Sequence, residues 1–296
     1  MKDNNASSTA FTVAQGILFA AKTSKYGGLV NDNVISVSRQ ILQGSEQGRR
    51  RLKQLNSWWF CKLAKLRERV LLPGISLHYV LRKRHIEHLT LNALSEGITQ
   101  VVVLGAGFDS LCWRLQQDYP KVNFIEIDHP ATQEQKVKAL EQGATQRQNM
   151  HFLAVDFGRQ QLQTALTEFE AFDPKRSTLF ICEGVLMYLN EKDVNAIFDS
   201  IRALTGAGTQ FIFSTLEPKD SPRNTVPKIL YRHLEKLGEP VLWDIDSLEM
   251  QDYLQTHMCQ LHSIAGGQEL VTQQIKEKLQ QKMYQGEYFV HCTFDQ

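Results

Sequence analysis

The chain has 296 residues, more than an average domain and enough to bury a sizeable hydrophobic core. Its composition, 42% hydrophobic and 22% charged with 18 glycines and 8 prolines, excludes collagen-like, low-complexity and wholly disordered proteins. Because 33 Lys and Arg oppose 32 Asp and Glu, the net charge of +1 provides no overall attraction to nucleic acid or to anionic membranes. We therefore expect a folded, soluble protein.

The five cysteines are scattered and form no C-x-x-C pair, so the sequence predicts neither a disulfide framework nor a zinc cluster. Separate reduced thiols are typical of cytoplasmic proteins, and we expect that location. No H-E-x-x-H motif is present, and we predict no bound metal. The longest apolar run near the N-terminus is too short for a signal-peptide core, and no run of about 18 apolar residues predicts a membrane span.

An N-terminal helical cap is predicted over residues 1–96. Apolar side chains recur every three or four positions, which indicates one apolar stripe. The stripe consists of Leu52, Leu55, Trp59, Leu63, Leu66 and Val70. Pro73 and Gly74 interrupt the pattern, and a second helix is predicted over residues 76–96.

The cap is also basic. Eleven Lys and Arg lie between residues 49 and 85, against Glu68 as the single acid, with Trp58 and Trp59 among them. Such a patch suits an RNA, an acidic carrier protein or an anionic surface. We favour a solvated basic helix face around a buried aromatic stripe, and we do not expect a nucleic-acid partner.

A cofactor-binding core is predicted over residues 97–218, where short β-branched runs alternate with helical stretches. Strands are predicted over residues 99–104, 122–127, 150–155, 178–182 and 210–214. Helices are predicted over residues 110–117, 131–142, 160–169 and 191–204. This alternation predicts an α/β fold in which helices cover both faces of a parallel sheet.

The remaining residues depart from the alternation. A helical insertion on the substrate side is predicted over residues 219–258, with helices over 228–237 and 247–257. Residues 259–296 are predicted to complete the sheet, with strands over 260–264 and 287–294 and a helix over 272–282. The pattern does not decide whether the last strand is parallel or antiparallel.

The first predicted strand ends in a glycine turn that opens a helix. The backbone amides of Gly105, Ala106 and Gly107 are placed to hold a polar or anionic part of a ligand. Ser110 replaces the third glycine of G-x-G-x-x-G, and Asp109 adds a negative charge that disfavours a pyrophosphate. A dinucleotide therefore fits poorly, and the turn by itself is equally typical of tight strand-to-helix packing.

The next three predicted strands end in acidic residues. Asp128 follows Gly105 by 23 residues, close to the spacing at which a carboxylate binds ribose hydroxyls. Asp156 can accept from an exocyclic amine, and Phe157 can stack on a purine. Glu183 can accept from an ammonium group of a ligand.

Together these strand ends predict a nucleoside site, because ligands of open α/β sheets bind beyond the carboxyl ends of the strands. S-adenosylmethionine has adenine, a ribose diol, an α-amino group and no phosphate. No G-x-x-x-x-G-K-[ST] motif occurs, so we favour this cofactor over a nicotinamide or ATP.

Four motifs in order carry a family resemblance. Residues 103–110 (VLGAGFDS), with WRL at 113–115, resemble the L-G-a-G-x-D-[ST]…x-R-L signature of the leucine carboxyl methyltransferase family and its bacterial relatives. Residues 126–130 (EIDHP) and 183–189 (EGVLMYL) are similar to its E-x-D-x-P and E-G-x-L-x-Y-L motifs. Residues 82–87 resemble its R-x-x-x-x-[DE] motif.

The resemblance implies a Rossmann-like, seven-stranded methyltransferase sheet whose last strand is antiparallel, with a helical cap and a helical insertion before the last strands. It implies that Arg82 pairs with the methionyl carboxylate of the cofactor. Gly105 would approach the cofactor through its backbone, and Asp128 would hold the ribose. Asp156 would face adenine, and Glu183 would lie near the amino group.

Some assignments stay open. Arg82 would alternatively pair with Glu87 or lie on a solvated helix face. The family places a basic residue of the cofactor site near the N-terminus, but neither Lys22 nor Lys25 aligns with it without a shift.

We expect an O-methyltransferase that methylates a carboxylate of a small molecule by in-line transfer. A carboxylate is ionised at pH 7 and needs no base, whereas a phenol needs one, and no catalytic residue is predicted. Tyr188 and Tyr26 are candidates for acceptor contacts, and a proton-transfer role is open for His78, His85 and His88. Alternative acceptors are a phenolic hydroxyl of a secondary metabolite, a protein C-terminal carboxylate or a modified RNA base. A scaffold that binds the cofactor without catalysis is the alternative of another class.

Overall fold

The computed structural model describes residues 6–141, 148–157, 159–206, 208–275 and 283–295. Within these residues, five α-helices precede the sheet. They are α1 (Ser8–Thr23), α2 (Asp32–Gln43), α3 (Glu46–Asn56), α4 (Trp58–Leu71) and α5 (Ile75–Ser95). The second helix of the cap is confirmed within one residue at each end, because Gly74 adopts a φ of 83° that only glycine takes readily and so starts α5.

Seven strands form one sheet in the order β3-β2-β1-β4-β5-β7-β6. The strands are β1 (Gln100–Leu104), β2 (Asn123–Asp128), β3 (Met150–Ala154), β4 (Thr178–Cys182), β5 (Gln210–Leu216), β6 (Cys259–Ala265) and β7 (Glu287–Phe294). The first five strands pair in parallel, and β7 is antiparallel to both β5 and β6. The predicted fold class, with its antiparallel last strand, is confirmed.

Helices connect the strands. They are α6 (Leu111–Leu115), α7 (Pro130–Glu141), α8 (Leu162–Thr167), α9 (Glu191–Leu204), α10 (Lys228–Leu237), α11 (Met250–Thr256) and α12 (Gly267–Gln274). The helix predicted over residues 272–282 is placed wrongly within the described chain, since α12 begins at Gly267 and ends at Gln274. Residues 276–282 of that prediction lie outside the described residues.

The sheet has a hydrophobic core on each face. Val101 and Val103 of β1 belong to a cluster shared with α1, α2 and α5, whereas Val102 and Leu104 belong to a cluster shared with α8, α9 and α11. Because side chains of a strand alternate between faces, this division means that helices cover both sides of the sheet.

One sequence interpretation is wrong. The apolar pattern predicted as one buried stripe is divided between two helices at Ser57, whose hydroxyl caps α4 by accepting from the amide of Phe60. Leu55 on α3 is buried, but Trp59 on α4 is 72% exposed. Periodicity predicts a helix and its apolar side, but it does not show which side meets the core.

Among the helices of the described residues, none combines the length and the hydrophobicity that a membrane span requires.

Candidate functional site

A cavity of about 850 Å³ opens beyond the carboxyl ends of β1, β2, β3 and β4. All of the sequence-predicted cofactor residues line it. They are Arg82, Gly105, Ala106, Gly107, Asp109, Asp128, Asp156, Phe157 and Glu183. The strands bring these residues together from four separate stretches after the cap, because parallel neighbours end at the same edge of a sheet.

The glycine turn after β1 forms one side of the cavity. Gly105 adopts a φ of +65°, and a Cβ on it would lie 2.3 Å from Cγ2 of Val185. A larger residue would therefore be strained and would push the turn away from the strand ends. The expectation that all three turn amides face a ligand is not met, because the amide of Gly107 donates to Asp128 and that of Ala106 donates to Ile127.

Asp128 is the last residue of β2, and its carboxylate is held by the backbone. One oxygen accepts from the amide of Gly107, and the other accepts from the amide of His129 at 2.7 Å. Burial raises the pKa of Asp128, and the two amide bonds counter part of that rise. The result is a fixed acceptor at the cavity wall, since each carboxylate oxygen has a further lone pair.

Asp156 and Phe157 follow β3 on the same wall. The carboxylate of Asp156 lies 3.3 Å from Nε of Arg159 and 4.0 Å from Nε2 of His129. Phe157 is partly buried against the core on the α8 and α9 side of the sheet. A flat ring and a polar group thus stand side by side where the sequence predicts adenine.

A charged cluster lies at the other end of the cavity and contains Arg82, Lys83, Asp109, Glu183 and Glu287. Nε of Arg82 lies 2.7 Å from Oε1 of Glu183, and its Nη1 donates to Oε2 of Glu287 at 2.9 Å. Nζ of Lys83 donates to Asp109 and, at 2.7 Å, to Oε2 of Glu183. Each of the two cations therefore contacts two of the three carboxylates.

The ion pairs of the charged cluster favour the ionised forms of Arg82, Lys83, Asp109 and Glu287. Burial lowers the pKa of Arg82 and Lys83, but the facing carboxylates outweigh burial, so both pKa values are raised. Burial raises the pKa of Asp109 and Glu287, but Lys83 and Arg82, respectively, outweigh it and hold both pKa values well below the usual range.

Sequence reasoning missed Lys83 and Glu287. Lys83 is the middle residue of a run of three cations. Its position on α5 directs it to the charged cluster, whereas the next residue, Arg84, points elsewhere and donates to the carbonyl of Leu29. The sequence alone does not distinguish the two. Glu287 begins β7, 205 residues after its partner Arg82, and no local pattern connects the two.

The alternative partner proposed for Arg82 is wrong. Glu87 instead accepts two hydrogen bonds from Arg114, at 2.7 and 2.9 Å. This fork-to-fork pair fixes α6 against α5 at the edge of the cavity, and it leaves Arg82 to the charged cluster.

The two tyrosines that were candidates for acceptor contacts lie in different places. Tyr188 lines the cavity, and burial raises the pKa of its phenol. Tyr26 is buried in the cap beneath Nζ of Lys25, which lies 4.7 Å from the ring centre, and it is not among the described residues that line the cavity. Lys22 donates to the carbonyl of Leu55 at 2.7 Å, so neither candidate lysine lines the cavity.

The three histidines on α5 also lie away from the cavity wall as far as the structure describes it. His78 is buried with its Nε2 2.7 Å from Glu287, and His88 contacts Asn92. Burial lowers the pKa of His85 to about 4, so this ring is neutral at physiological pH. Among the described residues, no group of three or more His, Cys, Asp or Glu is arranged to hold a metal ion.

A sequence model of the leucine carboxyl methyltransferase family matches residues 17–202, more than half of the chain. The chain belongs to this family. The motifs that carried the resemblance all lie inside the matched residues, so the predicted family is confirmed.

The similar curated proteins are named as S-adenosylmethionine-dependent methyltransferases. A "Putative S-adenosyl-L-methionine-dependent methyltransferase" of Mycobacterium bovis is 30% identical over 189 residues, which is 60% of this chain and 58% of that protein. A protein of the same description from Mycolicibacterium smegmatis is 33% identical over 131 residues, 44% of this chain and 43% of that protein. The chain thus spans about half the length of these relatives.

Two solved structures share the fold of this family member. A methyltransferase from Thermobifida fusca, titled as putative, has a TM-score of 0.60 at 15% identity, covering 87% of this chain and 94% of its own. A DUF574 family protein from Streptomyces avermitilis has a TM-score of 0.59 at 14% identity, covering 88% of this chain and 97% of its own. At such low identity these similarities establish the architecture alone.

Proposed function

We propose that this protein binds S-adenosylmethionine and transfers its methyl group to a carboxylate of a small molecule. The observation that carries the proposal is the presence, in one cavity, of the fixed Asp128 carboxylate and of the charged cluster. The curated relatives are named as S-adenosylmethionine-dependent methyltransferases, in agreement with the predicted cofactor.

The residues present fit this cofactor. A carboxylate held as Asp128 is held can accept hydrogen bonds from both hydroxyls of a ribose diol. The methionyl end is a zwitterion, and a cluster of interleaved cations and carboxylates offers a partner of opposite sign to each of its charges. Gly184 lines the same cavity at a φ of +67°, and a Cβ there would meet no atom within 4 Å, so the wall leaves open space beside Glu183.

The same residues fit a phosphate poorly. The carboxylates of Asp128 and Asp109 lie beside the glycine turn, and the amide of Gly107 already donates to one of them. A pyrophosphate there would meet negative charge and would find a needed donor already occupied. This distinguishes the site from that of a dinucleotide-binding enzyme.

S-adenosylmethionine supplies a sulfonium-bound methyl group, whose carbon–sulfur bond breaks as a carbon–oxygen bond forms. The chain binds and orients the two reactants, which is sufficient for an acceptor that is already ionised. At the described wall, each Asp and Glu is engaged: the carboxylate of Glu239, for example, accepts from Thr9 and Ser7. Carboxylates so engaged are poor general bases, which favours a carboxylate acceptor over a phenol.

Tyr188 and Arg67 are the residues that we assign to the acceptor. The raised pKa of Tyr188 keeps its phenol protonated, so it can donate a hydrogen bond but cannot act as a base at neutral pH. Arg67 lines the cavity and is exposed, and among the described residues no carboxylate lies within ion-pairing distance of it. It therefore provides a cation for an acidic acceptor at the cavity opening.

The test is transfer from methyl-labelled S-adenosylmethionine to a panel of small carboxylic acids and matched phenols. A methyl ester releases labelled methanol in mild base, whereas an aryl methyl ether does not. We expect base-labile product from one or more acids, and at least about 30-fold less from the Asp128→Asn variant when the cofactor is kept well below saturation. Base-stable product would identify a phenol acceptor, and binding of the cofactor without any product from acids, phenols, proteins or RNA would identify a scaffold.

A further inference from the structure

Helix α4 turns its apolar side to solvent. Trp59, Leu63, Leu66 and Val70 are each between 58% and 72% exposed. Because they recur at steps of four, three and four residues, they form one line along the helix, which we name the α4 stripe. Trp58, at the start of the helix, is 62% exposed beside it.

The opposite side of α4 is attached to the protein. Cys61 is buried, and Phe60 and Ala64 pack against the core that contains α1 and α5. Glu68 accepts hydrogen bonds from the amide and the hydroxyl of Ser76 at the start of α5, at 3.1 and 2.7 Å. These contacts fix the rotation of the helix, so the outward direction of the stripe is a property of the fold.

Cations border the α4 stripe on both sides. With 100° of rotation per residue, Lys62 and Arg69 lie along one border and Arg67 lies along the other. All three are exposed. Glu68, which is the acid of this helix, is directed to Ser76 and away from the stripe. The exposed surface of α4 is therefore apolar in the middle and positive at its edges.

We propose that the α4 stripe and its bordering cations dock this protein on an anionic lipid surface. A helix that lies in the membrane interface inserts an apolar face and places Lys and Arg at the level of the lipid phosphates. Tryptophan prefers that same depth. A second copy of the chain is a poorer occupant, because pairing through the stripe would bring the cations of two α4 helices together.

Docking through the α4 stripe would also bring the cavity close to the lipid. Arg67, Leu71 and Leu72 line the cavity, and so does Ile229 of α10, which is 62% exposed. A docked α4 would therefore hold this wall of the cavity at the lipid surface, where an amphiphilic molecule could enter from the bilayer. The docking itself does not depend on the proposed methyl transfer, and it is measured without cofactor or acceptor.

The experiment is co-sedimentation of the 296-residue chain with vesicles of phosphatidylglycerol and phosphatidylcholine, and with vesicles of phosphatidylcholine alone. Tryptophan emission supplies a second measurement, since Trp113 and Trp243 are buried whereas Trp58 and Trp59 are exposed. We expect binding to the mixed vesicles, a blue shift of the emission, and partition at least about tenfold weaker to the neutral vesicles.

Substitutions on α4 test whether this helix is the surface that contacts the lipid. Leu63→Ser combined with Val70→Ser should weaken partition at least about tenfold, and Lys62→Gln about fivefold. Leu248→Ser is the matched control, because Leu248 is 77% exposed and lies outside α4, and it should leave partition unchanged. All variants should unfold at the wild-type urea concentration, since these side chains are exposed.

Three results would overturn the proposal. Equal partition to neutral and mixed vesicles would show that the bordering cations do not bind anionic lipid. Equal loss in the Leu248→Ser control would mean that the α4 stripe is not the contact. A concentration-dependent dimer, abolished by the same double substitution and unaffected by lipid, would show that a second copy covers the stripe.

Discussion

A buried ion pair behind the site gives the most quantitative prediction. Nζ of Lys136, on α7, lies 2.5 Å from Oε2 of Glu126, and each residue is 1% exposed. Glu126 lies two residues before Asp128 on β2, so this pair supports the strand end that carries the predicted ribose ligand. We expect Lys136→Met to lower the free energy of unfolding by about 3 kcal/mol relative to wild type at pH 9, because it leaves a buried carboxylate without its cation.

The sign of the pH dependence follows from the pKa of Glu126. Burial raises this pKa from 4.5 to about 7, although Lys136 lowers it in part. In the wild type the folded state therefore binds more protons than the unfolded state between these values. The two pKa values differ by about 2.5, and each pH unit between them lowers the free energy of unfolding by about 1.4 kcal/mol. Stability therefore falls by about 3–4 kcal/mol as pH rises from 4.5 to 7, and above pH 7 this contribution is constant.

In Lys136→Met the pKa of Glu126 rises further, so the loss continues above pH 7 at about 1.4 kcal/mol per pH unit. The assay is urea unfolding at pH 6, 7, 8 and 9, followed by circular dichroism. Lys138→Met is the matched control, since Lys138 lies on the same helix with its pair to Glu134 exposed, and no change is expected. Adding Glu126→Gln to Lys136→Met should restore most of the stability. Parallel pH profiles of Lys136→Met and wild type would refute the reasoning.

Two further predictions concern the turn and the core. Gly105→Ala should lower the free energy of unfolding by about 2 kcal/mol and weaken cofactor binding, because the added methyl group would collide with Val185. A melting temperature equal to that of the wild type would contradict this prediction. Burial lowers the pKa of His85 and His291 to about 4 each, from 6.5, so both bind fewer protons in the folded state. The contribution of these two rings to stability, opposite in sign to that of Glu126, should therefore fall as pH drops from 6.5 toward 4. Nuclear magnetic resonance titration of the ring protons checks this, and a midpoint near 6.5 for either ring would contradict it.

The sheet and the strand-end residues were predictable because their signals are local. Asp128 and Glu183 each end a β-branched run, and parallel strands bring such ends to one edge whatever the rest of the chain does. The orientation of α4 was not predictable, because a helical pattern gives the apolar side without the neighbour that would cover it. Glu287 was not predictable either, since only the pairing of β7 with β5 brings it to Ser214 and to Arg82.

The basic residues of the cap could not be assigned to a role without the fold either. Arg82 and Lys83 count toward the basic composition of residues 49–85, yet both are engaged in the charged cluster. The cations of α4, in contrast, are exposed. One run of basic residues therefore divides into a part that supports the proposed cofactor site and a part that provides an external surface, and composition does not separate the two.

The most direct test of the account is calorimetric titration of the purified protein with S-adenosylmethionine and S-adenosylhomocysteine, beside Asp128→Asn and the exposed control Asp252→Asn. We expect wild type and Asp252→Asn to bind alike, and Asp128→Asn to bind at least about 30-fold more weakly, as the loss of about 2 kcal/mol of hydrogen bonding to a charged acceptor requires. Equal binding by both variants, or no binding of either ligand by the wild type, would contradict the assignment of the strand ends as the cofactor site.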